Sequence, residues 1–432
     1  MRDLMVLCFM LLMVPMAASN AFIAYMLWCW FNLISVISYL YGFMAGIPYV
    51  QLFAIITLFA ILSNRDKPKP IFKMNRTLVL WVIFSLHSIV VASMAFDGIP
   101  RNIEILDTIL KSVLFCLVMP MIVNSRFRIH VFVIIIVLGL SFHGLIDGLK
   151  FLASGGTHLA RGLERFGDNN NFAVIMAMVI PMALYLYKYT QMKWMKLGFL
   201  AVTLLTIFSV IATRSRGGML TLIIIGIWML VRSKRKVVGT ASFLGCIVLV
   251  VAMAPAEWSA RMNTVQNANE DSSFMTRVAV WKKSTAIALD YPFVGGGFYA
   301  VQSPPTFAKY RTAQGLMGFI DTPDPYSFAA HSIYFQVIGD MGFLGFFIYI
   351  LILMNTFVTN AEINRLAKLQ DGILMWAIDL ANMLAASLVA FMVGGALLSA
   401  AYTEVVFMII TLMETIKQVL LSTKNQKNPN CQ

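Results

Sequence analysis

LGFLAVTLLTIFSVIATRSRGGMLTLIIIGIWMLVRSKRK (residues 197–236) sets two apolar runs on either side of a short polar turn and then closes on a basic cluster. Each run approaches the ~20 apolar residues needed to cross a bilayer core. Read as two spans, 196–213 and 217–232, the stretch puts Arg232, Lys234, Arg235 and Lys236 on one membrane face and Arg214 and Arg216 on the other. The same pattern runs through the chain of 432 residues. It is 59% hydrophobic and 12% charged, where a soluble domain carries about 25% charged residues. Backbone polar groups in lipid must be satisfied within the segment, so apolar runs recurring along the whole length read as helices. The fold class is all-α, a polytopic helical membrane protein.

Further spans are expected at 47–64, 77–96, 103–123, 129–152, 171–189, 237–253, 332–358, 373–400 and 402–422. The N-terminus holds two more apolar runs, 4–18 and 20–41, separated by Pro15 and a small polar stretch. No cleavable signal is evident, because further spans follow at once. If the two runs make one crossing plus a partial one, the chain has about 12 spans with both termini inside; if both cross, there are 13 and the N-terminus is outside. The first run is short, which favours 12.

Charge assigns the sides. Segments 65–76, 124–130, 188–196 and 232–236 and the tail after Glu414 are strongly basic, and 360–371 is mixed. Together they hold more than half of the 33 Lys and Arg residues and alternate with the remaining connections. They read as cytoplasmic. The net charge of +13 is therefore an orientation signal and does not point to a nucleic-acid partner. Segment 254–331 balances equal numbers of acidic and basic residues and is the one long polar stretch; loops this long are usually functional. The expected organisation is an N-terminal bundle over 1–253, a long outer loop over 254–331, and C-terminal spans with a tail over 332–432. The five cysteines form no C-x-x-C pair and read as small apolar residues.

Arginine reaches the outer face from three places. The loop GGTHLARGLERFGDNNN offers Arg161, Arg165, Asp168, Asn169 and Asn170. The turn offers Arg214 and Arg216. TRVAVWKKS in the long loop offers Arg277, Trp281, Lys282 and Lys283, with Arg277 and Trp281 four apart on one helix face. His331 then opens the next span, with Ser332 and Tyr334 beside it. A basic cluster opposing the positive-inside bias needs its own reason, and the planar, always-charged Arg fork suits phosphate. Competing readings are plain. A lone arginine at a helix end can snorkel to headgroups, Lys282 and Lys283 fit a solvated face, and His331 fits a structural role. His87, His143, Asp147, Asp379 and Glu404 fit pairing between helices as well as function. Asp321 and Asp324 make a weak metal site.

SRGG at the start of a span, Arg–x–x–x–Trp in a long outer loop and HSIYFQVIGDMGFLGF after it resemble the O-antigen ligase and polymerase superfamily. The opening MRDL, GDNN before a span and the overall length resemble O-antigen ligase-like proteins termed O-glycosylation ligases in exosortase-bearing bacteria. The resemblance spans essentially the whole chain. It implies a lipid-carrier glycosyltransferase of GT-C-like architecture in the bacterial inner membrane, with its active site at the periplasmic face. The implied reaction moves a glycan from an undecaprenyl diphosphate carrier to a hydroxyl of lipid A-core, with inversion and without metal, nucleotide sugar or other cofactor. It carries over onto Arg216, Arg277 and His331, and less firmly onto Arg161 and Arg165; His331-Ser332 stands where many members have His-Asn.

The residues fit that chemistry on their own terms. A lipid diphosphate leaving group needs its developing charge neutralised by a metal or a cationic clamp. Arg216, Arg214 and Arg277 supply the clamp, with Arg161, Arg165, Lys282, Asn169, Asn170 and Tyr334 as further substrate contacts. His331 is the best-placed base for the acceptor hydroxyl. The lipid tail would lie among the membrane helices. A glycan polymerase and a protein O-glycosylation enzyme use the same chemistry. A flippase of an anionic lipid-linked glycan is the alternative from another class, expected to show paired broken helices or internal repeats.

Overall fold

The computed structural model describes residues 1–63, 74–162, 167–232, 272–322, 329–368 and 374–427, with positions 240, 244–245 and 248. Every regular element among them is helical. In chain order these are α1 (Arg2–Ser19), α2 (Ala21–Ile34), α3 (Tyr49–Ser63), α4 (Arg76–Ser93), α5 (Asn102–Ile122), α6 (Arg126–Ala153), α7 (Asn169–Tyr189), α8 (Lys193–Ala212) and α9 (Arg216–Arg232). Then come α10 (Ser272–Asp290), the short α11 (Pro304–Lys309), α12 (Ile333–Lys368), α13 (Met375–Gly395) and α14 (Glu404–Lys427). Nine of the described helices, α1, α4 to α8 and α12 to α14, are long and apolar enough to cross a membrane. The chain is a multi-pass membrane protein. The expected span 237–253 lies largely outside the described residues.

Hydrogen bonds sort the connections into two ends. At one end the α6–α7 connection meets the α8–α9 turn through Ala160 N–H to Ala212 O (3.0 Å). The α4–α5 connection meets the 291–299 segment there through Phe96 N–H to Gly296 O (3.0 Å). The α13–α14 turn joins them, its Ser399 Oγ accepting from the His331 amide at 2.8 Å. At the other end the basic segments gather. Arg76 at the start of α4 and Lys417 of α14 both pair with Glu362 of α12. Lys188 of α7 pairs with Asp379 of α13, and Arg126 lies over Trp376 at 5.5 Å. This alternation is what the charge pattern of the sequence demands.

The two N-terminal apolar runs are separate helices, antiparallel about Asn20, whose side chain accepts from Phe22 N–H at 3.0 Å and so caps α2. Arg2 reaches the Tyr39 carbonyl (3.4 Å) and Asp3 accepts from the Met44 amide (3.1 Å). Tyr39 in turn bonds His143, in the C-terminal half of α6. The start of α1 therefore stands at the His331 end; α1 is long enough to cross a membrane, and α2, at 14 residues, is shorter. Asn20 ends one helix and caps the next, while Pro15 lies inside α1.

α12 breaks at Gly342 (φ 69°, ψ −173°). A break leaves carbonyls and amides unpaired, which is costly at membrane depth. The sequence YPFVGGGFY (291–299) repairs it with backbone. Gly296 N–H donates to Gly339 O and Gly297 N–H to Asp340 O, both at 3.0 Å, while Leu344 N–H donates to Pro292 O at 3.1 Å. The buried Asp340 carboxylate accepts from Tyr299 N–H and from the Tyr402 hydroxyl, each at 3.1 Å. The approach is so close that a Cβ on Gly342 would lie 2.6 Å from Pro292 O, and one on Gly295 would lie 2.6 Å from Gly342 N.

Two outcomes check this fold. Gly342→Ala adds a clash to an unfavourable φ, so it should cost more than the ~1–3 kcal/mol of the φ alone. Gly98→Ala, at φ +75° with nothing within 4 Å, should cost only the backbone part; melting temperatures in detergent rank the two. In a background without native cysteines, Leu4→Cys and Tyr41→Cys should react with an impermeant thiol reagent from one side, and Lys193→Cys from the opposite side.

Candidate active site

The TRSRGG turn is built by side-chain caps. Thr213 Oγ1 accepts from the Ser215 amide at 3.2 Å, and Ser215 Oγ accepts from the Gly218 amide at 3.1 Å, which caps the start of α9. Arg214 between them takes a left-handed conformation (φ 53°), unusual for a non-glycine residue. Its guanidinium reaches the Thr157 carbonyl at 3.5 Å. Arg216, half-buried, is the first residue of α9, at the positive end of the helix dipole. The two glycines have different reasons. A Cβ on Gly218 would lie 2.5 Å from Cβ of Ala173, so that position seats α9 against α7; Gly217 faces only Ser215 Oγ at 3.8 Å and leaves room.

The N-terminus of α7 stands beside this turn. Asp168 caps it, accepting from the Asn171 amide at 2.7 Å and from Asn170 Nδ2 at 3.3 Å. Asn169 donates to the Thr213 carbonyl at 2.9 Å. Both asparagines thus organise backbone and cap here. Arg161 is exposed on the preceding loop, and Arg165 lies outside the described residues.

His331 enters from the far side of the chain. It also adopts a left-handed conformation (φ 46°), which costs a non-glycine residue on the order of 1 kcal/mol. Burial holds its imidazole below the ordinary histidine range, the positive charge of Arg277 pushes the same way, and Asp168 opposes them. Charges from three segments far apart in sequence therefore act on one another here: the cap of α7, the face of α10 and the start of α12. A ring that feels the field of a carboxylate can accept a proton and have part of the resulting charge stabilised.

α10 is fixed there by Trp281, one turn after Arg277. Its indole Nε1–H donates to the Ala330 carbonyl at 2.6 Å, and its ring stacks on Phe335 at 4.6 Å and 10°. Lys282 turns elsewhere: it is buried and donates to Gln314 Oε1 at 2.9 Å. Lys283 is buried above the Phe307 ring at 3.2 Å. The expected solvated face of the two lysines is thereby corrected. Residues 291–317 fold back over α10 and cover them. Tyr334 spends its hydroxyl on the Met392 carbonyl at 2.9 Å and ties α12 to α13. Asp324 lies outside the described residues, among which no group of three or more His, Cys, Asp or Glu side chains is placed to hold a metal. Asp147, Asp379 and Glu404 each pair with another segment, through His158, Lys188 and Asn32 respectively. Ser399, which holds the His331 amide, carries no motif; its contact exists only because the α13–α14 turn folds back onto the start of α12.

Residues 201–350, from within α8 to the middle of α12, match the sequence model of a family described as O-antigen ligase. This part of the chain belongs to the O-antigen ligase family. The match contains SRGG, Arg277, Trp281 and His331. With the membrane helices, it makes the chain a membrane protein of the ligase or polymerase type. Residues 1–191 match a family of unknown function, and this region contributes Asp168, Asn169 and Asn170. A search of curated proteins returned no match.

The electrostatics have a direct readout. The His331 ring, followed by NMR of labelled histidine in detergent, should titrate below the ordinary ~6.5. Arg277→Gln removes a lowering influence and should move the midpoint up. Asp168→Asn removes the raising influence while keeping a capping oxygen, and should move it down.

Proposed function

We propose that this protein transfers a glycan from a polyprenyl diphosphate carrier, undecaprenyl diphosphate in bacteria, to an acceptor hydroxyl. The His331 end of the bundle faces the periplasm from the inner membrane, and the acceptor is a sugar of lipid A-core. The architecture is that of a GT-C-like enzyme. The observation that carries the reading is that α10, one turn after Arg277, is bonded to the residue before His331, the cap of α7 is bonded to the Arg214–Arg216 turn, and the charges of Arg277 and Asp168 act on His331. A base and several fixed cations at one membrane surface suit displacement of a lipid diphosphate.

In this reaction the acceptor oxygen attacks the anomeric carbon from the face opposite the diphosphate, so the configuration inverts. His331 takes the hydroxyl proton as the new C–O bond forms. The old C–O bond breaks and its electrons pass to the diphosphate, whose developing charge Arg216, Arg214 and Arg277 neutralise. Asp168 stabilises the imidazolium. Arginine rather than lysine suits the task because its planar fork holds two phosphate oxygens at once. The lipid tail lies against the apolar helices.

Purified protein, lipid-linked donor and acceptor test the reading. Arg216→Ala and Arg277→Ala each remove a charged hydrogen bond of roughly 1.5–3 kcal/mol, a loss of about 10- to 150-fold in kcat/KM. Lysine should restore little. His331→Ala should lose on the order of 10²–10⁴ in single-turnover rate with donor binding intact, and His331→Gln should do little better. EDTA should leave the rate unchanged. Near-parental turnover by His331→Gln would remove the base, and inhibition by EDTA would replace the arginine clamp with a metal. In cells, deletion should strip long chains from surface lipopolysaccharide while lipid-linked polymer accumulates; single-unit caps would instead indicate a polymerase.

A further inference from the structure

We infer that Trp281 and Ser399 are positioning residues that clamp one peptide group, the Ala330–His331 unit, and thereby aim the His331 ring. The inference rests on the proposed role of His331 as base. The Ala330 carbonyl and the His331 amide are the two polar ends of a single rigid plane. Trp281 Nε1–H donates to its oxygen at 2.6 Å, and its N–H donates to Ser399 Oγ at 2.8 Å. The two partners come from unrelated parts of the chain, α10 and the α13–α14 turn, and they grip the plane from its opposite ends.

The grip matters because of the conformation that follows. His331 has φ 46°, which a non-glycine residue leaves readily unless its surroundings over-determine it. With the plane held, the left-handed φ fixes the direction of the Cα–Cβ bond, and the ring points where Arg277 and Asp168 act on it. The clamp itself is anchored. Trp281 lies parallel to Phe335 of α12 at 4.6 Å and edge-on to Phe274 at 6.0 Å. The turn bearing Ser399 is held by Gln336, which accepts from the Ala401 amide at 3.1 Å, and by Tyr402 on Asp340. Two bonds to one plane are the minimum that stops it rotating.

Trp281→Phe keeps the stacked ring and loses only the donor; Ser399→Ala loses only the acceptor. With purified protein and lipid-linked donor, each should lower kcat about 10- to 100-fold, the scale on which small misplacements act. KM for the donor should stay at the parental value, while the melting temperature falls modestly because a buried peptide group loses a partner. Ser399→Thr, which keeps the hydroxyl, should recover most of the rate. The double variant should fall short of the product of the two single losses, because both act on the same plane. Parental kcat in Trp281→Phe and Ser399→Ala overturns the clamp, and if His331→Ala is inactive in the same assay the base survives that result. Losses that appear in KM, with no gain from Ser399→Thr, also overturn it. Reduced kcat in the clamp variants beside a fully active His331→Gln sinks the base itself, since the plane would then be aiming something other than a proton acceptor.

Discussion

A helix inside a membrane cannot leave backbone groups unpaired, and α12 breaks that rule at Gly342. The structure depends on how the breach is closed. The triple glycine of 295–297 lays its amides on the carbonyls of Gly339 and Asp340, and Pro292 takes the amide of Leu344. The repair comes from a segment distant in sequence, so it welds that segment to the span. Through Phe96 and Asn102 the same segment also grips the α4–α5 connection. The long polar stretch therefore arrives at α12 as part of the bundle, with α10 carried in a defined place. Arg277 and Trp281 owe their position near His331 to that weld.

The chemistry proposed for this end rests on pre-organisation. Arg214 and His331 both sit in a backbone conformation that ordinary residues avoid. Such strain persists only where neighbours over-determine it, and it gathers at working sites. Here the neighbours are visible: the Thr213 and Ser215 caps on one side, Trp281 and Ser399 on the other. Burial and the Arg277 charge hold the imidazole neutral, and Asp168 stands by as counter-charge. Each of these effects acts before substrate arrives.

Much of this was legible in the sequence. Apolar run length marked the spans, and the basic segments sorted the connections into two sets that the bonds of Glu362 and Asp379 join at one end. The i, i+4 spacing put Arg277 and Trp281 on one face. What pattern could not reach was tertiary. Lys282 and Lys283 are charged residues in a polar stretch, and nothing local reveals that residues 291–317 fold back over them. Ser399 lies among small residues with no motif, and its importance is purely spatial. At the N-terminus hydropathy weighs length and does not register that a single asparagine ends one helix and caps the next.

The bond between the His331 amide and Ser399 has a consequence for how this architecture can be divided. The matched family segment ends at residue 350, before α13 and α14 begin. It contains the arginines and the histidine, yet the oxygen that receives the His331 amide lies beyond its C-terminal border, and Asp168 lies before its N-terminal one. The proposed site is thus a joint between three stretches of chain rather than the property of any one. A chimera that exchanged only 201–350 with a relative would transplant the proposed reactive side chains and leave their supports behind. Successful recombination would have to cut instead where the bundle is seamless, carrying the start of α7 and the α13–α14 turn along with the histidine they hold.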